Sequence, residues 1–168
     1  MRTGEKWVLA GIGIVVAFAM ARNVWRLQVQ TEPDPGIPFY STANAQLTRA
    51  GSDLYRRLEC KSCHTLWTVR NMFESVPAPA LDGIGSLRNE EWFYAYFSAP
   101  DPQAILPSRL KPEYQMPSYA QLPEQERRVL AAYMASLKVK DWYFEETKQA
   151  EYEKLTGKNY PDRSAISK

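Results

Sequence analysis

The sequence predicts an all-α fold, a helical domain that follows one N-terminal transmembrane helix. Apolar residues recur at helical spacing in 45–59 and 123–137, three aromatics of 88–97 can share one helical face, and Pro- and Gly-rich stretches separate these segments. A charge-free apolar run, 7–21, opens the chain between basic residues. Apolar residues make up 45% of the 168 positions, enough for one ordinary domain with a remainder.

The run WVLAGIGIVVAFAMA, 7–21, is shorter than the roughly 20 residues that span a bilayer. Continuing it to 29 adds Val24, Trp25, Leu27 and Val29, with Arg22 and Arg26 snorkelling and Trp7 and Trp25 near the two interfaces. Residues 1–30 therefore read as a retained membrane anchor in contact with lipid through 7–29. The rival is a secretory signal peptide, with a basic start, an apolar centre and small residues at AFA or AMA. Arg2, Lys6, Arg22 and Arg26 against Glu5 give 1–30 a charge of +3, and the remaining 17 basic and 18 acidic residues give −1. With no basic domain, nucleic-acid binding has no electrostatic support.

Residues 31–44 read as a stalk, since TEPDPGIP holds Pro33, Pro35 and Pro38. The first helix of the domain, 45–59, carries Leu47, Leu54, Tyr55 and Leu58. Residues 75–86 are loop-like by composition. In 88–97, Asn89 is a candidate cap, and Trp92, Phe93 and Tyr96 can share a face. Prolines at 100, 102, 107, 112 and 117 keep the next stretch irregular. Pro123 then opens the clearest helix, with a stripe of Leu122, Val129, Leu130, Tyr133, Met134 and Leu137 and acidic Glu124 and Glu126 in its first turn. Residues 138–168 form a charged, aromatic-bearing extension and a candidate docking segment. So much irregular backbone needs something inside the domain to organise it, such as an apolar cofactor.

CKSCH, 60–64, holds both cysteines and the sole histidine of the chain. Cys-x-x-Cys-His is the attachment signature of c-type haem. Cys60 and Cys63 can form thioethers with the two vinyl groups of one porphyrin, and His64 is then carried under the ring to ligate iron. A thioredoxin-like dithiol wants a βαβ context that this sequence lacks, and a zinc site would need an Asp or Glu to complete it. For the other axial position a second histidine is excluded by count. Met1 and Met20 belong to the anchor, Met72 is eight residues past His64, and Met134 sits in a core stripe. Met116 remains, held extended before Pro117. Lys111 and Tyr114 are the polar alternatives, and an open position would mean gas binding or catalysis.

These motifs resemble class I cytochromes c, and more narrowly the membrane-anchored monohaem subunits of bacterial respiratory or photosynthetic complexes. The likeness covers 45–137, the expected haem domain. GSDLYRRLECKSCH is similar to the family's first helix, with Gly51 and Tyr55 packing on the last helix near Tyr133. APALDGIG resembles the loop whose proline, here Pro79, orients the proximal histidine through its carbonyl. QMPSY resembles the methionine-bearing loop. The segment between His64 and Pro79 departs from the pattern: it is longer, lacks glycine and carries Trp67, Met72 and Phe73.

The resemblance implies electron transfer through one covalent haem with His64 and Met116 on the iron, and no catalytic residue of its own. It implies partners in a membrane redox complex (an oxidase, a nitric oxide reductase, a quinol-oxidising complex or a photosynthetic centre) with an electron donor and acceptor. Haem attachment by the usual bacterial machinery places the domain in the periplasm, with the N-terminus in the cytoplasm and the anchor in the cytoplasmic membrane. The alternatives are an open-site haem sensor or peroxidase-like domain, and a freely diffusing periplasmic cytochrome.

Overall fold

The computed structural model describes residues 3–29, 35–67, 69 and 76–161. The chain divides into two units, 1–36 and 37–168.

The first unit carries helix α1, Thr3–Val29. Trp7, Ile14, Val15, Phe18 and Trp25 are exposed on it. Among the described residues no helix is long and apolar enough to cross a membrane. At about 1.5 Å per residue, the charge-free run 7–21 covers roughly 22 Å of a hydrocarbon core about 30 Å thick. Glu5 and Lys6 bound it on one side, and Arg22, Asn23 and Arg26 on the other. The expected single transmembrane span is therefore not supported by the fold.

The second unit is helical, as expected. Helix α2, Ala45–Arg57, is capped by Asn44, whose side chain accepts from the Leu47 amide at 2.8 Å. It buries Gly51, Leu54 and Tyr55. A short helix α3, Ile84–Leu87, ends what the composition marked as a loop. Helix α4, Glu90–Ser98, starts at Asn89, which caps the Trp92 amide at 2.9 Å. Its aromatics form two rows at i, i+4 spacing: Trp92 stacks on Tyr96, and Phe93 on Phe97. The proline-rich stretch holds two single 3-10 turns, Pro102–Ala104 and Pro112–Tyr114. Helix α5, Glu124–Ser136, packs on both α2 and α4. Leu130 on α5 and Leu137 just after it are each 1% exposed, the largest fully buried side chains. Burying one such side chain contributes about 1.5–3 kcal/mol.

The α2–α5 crossing depends on a missing side chain. A Cβ on Gly51 would lie 2.2 Å from Tyr133 Cγ. Gly85 meets α5 in the same way, with the Ala135 carbonyl 2.3 Å from its would-be Cβ. Only glycine permits either approach.

Two features fall in segments read from sequence as stalk and extension. Strand β1, Phe39–Ser41, pairs antiparallel with strand β2, Leu137–Val139, in the register Phe39–Val139, Tyr40–Lys138 and Ser41–Leu137. Residues 39–44 are thus built into the domain, and Leu137 leaves the helix to enter a strand. Beyond β2, helix α6, Phe144–Thr156, packs on α3 and stops at Gly157, which adopts a left-handed φ of +68°.

Candidate cofactor-binding site

A cavity of about 670 Å³ lies within the second unit. Its apolar wall is made by Leu58, Leu81, Ile84, Phe93, Phe97 and Leu130, drawn from α2, α3, α4 and α5 and from the loop before α3. Cys60, Cys63, His64, Pro79 and Met116 all line it, so the five residues singled out in the sequence meet in one place.

The Cys–His turn begins where α2 ends. Glu59 takes a left-handed φ of 54°, and a 3-10 turn follows at Cys60–Ser62. The His64 amide donates to the Cys60 carbonyl at 2.9 Å. This turn brings the two cysteines to one cavity wall with the imidazole beside them. His64 Nδ1 lies 2.7 Å from the Pro79 carbonyl oxygen. As a donor there, Nδ1 carries the proton, and Nε2 is left as the ring's free lone pair. The neutral ring is also the favoured one: burial lowers the His64 imidazole below its ordinary value, and the Pro79 carbonyl opposes that only in part.

Pro79 thus contributes its carbonyl, as the resemblance implied. Sequence reasoning missed three further supports. The Tyr55 hydroxyl donates to the His64 carbonyl at 3.2 Å, fixing the backbone that carries the ring. The Tyr119 phenol acts on the Cys60 thiol, opposing the rise that burial imposes on it. Trp67 takes a left-handed φ of 53°, in the segment that lacks glycine, and its side chain opposes the rise that burial imposes on the Tyr133 phenol. The partners lie far apart in sequence or, for Tyr55, nine positions apart across a helix end, so no local pattern announces them. Met72 and Phe73 lie outside the described residues.

Met116 comes from the irregular segment after α4. Its carbonyl accepts from Gln103 Nε2 at 3.0 Å. Met134 also lines the cavity, but it sits on α5 and is 3% exposed within the core. Tyr114 and Gln115 line the cavity too, whereas Lys111 does not.

Burial pushes the Cys60 thiol up to about 11, and the Tyr119 side chain opposes this. A redox dithiol needs the reverse, a thiolate favoured near neutral pH. Both cysteines are free of any disulfide. Among the described residues no group of three or more His, Cys, Asp or Glu is placed to hold a metal ion, which removes support from the zinc reading.

A family model described as cytochrome c matches residues 48–138, more than half of the chain. No curated protein and no solved structure matches it. The residues fit the group this family carries. The cavity is in the range of cofactor sites, its lining is largely apolar, two thiols share one wall, and a histidine Nε2 is free for iron.

Proposed function

The chain belongs to the cytochrome c family, carries one covalently bound c-type haem and serves haem-based electron transfer, and on that premise we propose that it does so with both axial positions of the iron filled from its own chain. His64 supplies one through Nε2 and Met116 the other through its thioether. The observation behind this is that both side chains line a single cavity, with the imidazole turned by the Pro79 carbonyl. When bound, the haem supplies a one-electron couple. The chain's own residues would supply the rest: Cys60 and Cys63 would hold the group, His64 and Met116 would offer it Nε2 and a thioether, and the apolar wall would exclude water. Met134 is assigned to the core because α5 packs on both α2 and α4.

A filled iron leaves no room for a substrate, which favours electron transfer over sensing or peroxidase chemistry. The test is the optical spectrum of the ferrous protein with and without carbon monoxide. No change is expected at neutral pH, and rapid conversion to a carbon monoxide adduct would sink this reading.

We also propose that the protein works at the outer face of a bacterial cytoplasmic membrane, held by α1 as a subunit of a redox complex with its own electron donor and acceptor. The supporting observation is the apolar, outward-facing surface of α1, which water solvates poorly. Lipid and apolar helices of neighbouring subunits would cover it together, since the run is short for a lone span. Cutting within 31–38 should then release a red domain from washed membranes. Release of the intact chain by an alkaline wash, or mature protein beginning after Ala21, would replace this with a diffusing cytochrome.

A further inference from the structure

Helix α6 lies wholly beyond the family-matched segment 48–138. Even so, Glu151, Lys154 and Leu155 line the same cavity as Cys60, His64 and Met116. The helix is fixed there, not frayed. Arg88, just before α4, forms an ion pair with Glu151 in which the two side chains are only 16% and 13% exposed. Arg109 Nε donates to the Lys154 carbonyl at 3.2 Å. Thr147 is buried, with its Cγ2 3.4 Å from the position of a Cβ on Gly83.

The plain alternative is a packing cap that only closes the fold. A cap does best with apolar residues, because a poorly solvated ion pair is a weak source of stability. Here the pair stands in the cavity wall. The Arg88 guanidinium also lies 4.6 Å from the centre of the Trp92 ring, another lining residue. Its charge reaches the site: burial pushes the Tyr96 phenol up to about 12, and Arg88 opposes that rise. Charges held where water is sparse act strongly on any charge change nearby. Reduction of a haem is such a change, since it adds one electron. A fixed carboxylate opposes it, and a fixed ammonium favours it.

We propose that α6 sets the reduction potential of the haem, with Glu151, positioned by Arg88, lowering it and Lys154 raising it. Glu151 and Lys154 are positioning residues that touch neither ligand. The inference rests on the electron-transfer reading, and it places the control of driving force in an element added after the family's own domain.

The experiment is a redox titration of the holoprotein and of Glu151→Gln, Lys154→Met and Glu153→Gln, with thermal unfolding recorded in parallel. Glu153 is on the same helix but outside the cavity lining. At a fixed ambient potential, Glu151→Gln should raise the ferrous-to-ferric ratio on the order of tenfold, about 59 mV for one electron. Lys154→Met should lower it by a smaller factor, since Lys154 is exposed. Glu153→Gln should leave it unchanged. Equal shifts for Glu151→Gln and Glu153→Gln would overturn the proposal. So would an unchanged ratio with a lowered unfolding temperature, which is the mark of a cap. Lys154→Met leaves the ion pair intact, so failure of that variant to lower the ratio overturns the proposal even if Glu151→Gln does not fold. Carbon monoxide binding by the unaltered ferrous protein would instead sink the electron-transfer reading, whatever the titrations give.

Discussion

Cys60–His64 with Pro79, and the segment from Asp101 to Tyr119, line one cavity but hold His64 and Met116 by different means. The first is pinned mainly by backbone. The His64 amide bonds Cys60, the Leu81 amide donates to the Thr65 carbonyl at 2.8 Å, and the imidazole itself meets the Pro79 carbonyl. The second is pinned by side chains reaching to backbone. Gln103 holds the Met116 carbonyl, Gln115 Nε2 donates to the Leu110 carbonyl at 2.8 Å, and Ser118 Oγ to the Ala99 carbonyl at 2.7 Å. Backbone bonds survive most substitutions, whereas a side-chain bond is lost with its residue. The histidine is thus the robustly held side chain and the methionine the adjustable one.

The harshest way to break this contrast is His64→Ala. With the backbone turn intact the cysteines should still attach haem, but the iron loses its strong-field nitrogen. The ferrous spectrum should become high-spin, and a retained low-spin spectrum would show that another group had been the ligand. Met116→Ala comes next. It should open the iron to carbon monoxide and abolish the weak near-infrared sulfur–iron band, while Met134→Ala keeps the band and loses about 2–5 kcal/mol of stability. Reversal of the two outcomes would exchange their roles.

Gly51→Val tests what lies behind the walls, because it forces α2 off Tyr133 and disturbs the helix that ends in the Cys–His turn. A loss of about 3 kcal/mol, read by denaturant unfolding, is expected from overpacking at a backbone-close contact. The smallest effect sharpens the contrast most. Gln103→Ala should cost only about 1 kcal/mol in stability, yet speed ligand exchange at Met116. An equal rate in both proteins would mean that the loop holds its methionine without that bond.

The legible parts of this molecule were local in sequence. CKSCH is contiguous, Asn89 caps a helix three residues on, and the α5 stripe repeats at a regular period. Met116 was reached by elimination among the methionines and Pro79 through resemblance, and both line one cavity with His64. What the sequence hid was long-range. A three-residue strand has too few positions to show alternation, so β1 and β2 were read as stalk and extension. The Arg88–Glu151 pair joins residues 63 apart, and nothing in either neighbourhood marks the other. The N-terminal span goes unsupported for a quantitative reason, because a basic residue ends the apolar run after Ala21.

The β1–β2 pair has a kinetic consequence. It joins segments so distant in sequence that Ser41 and Ser136, whose hydroxyls lie 3.1 Å apart, are separated by 95 residues. Closing so large a loop has a high entropic cost and is rewarded only once the intervening helices have formed. The seam should therefore be among the last contacts made, with α6, which follows β2, seated later still. In pulse-labelled refolding, the amides of Thr42 and Lys140, which bond the Ser136 and Pro38 carbonyls, should gain protection after those of α5. Until then the side of the cavity that α6 lines would stay open, and Cys60 and Cys63 would be reachable from that side.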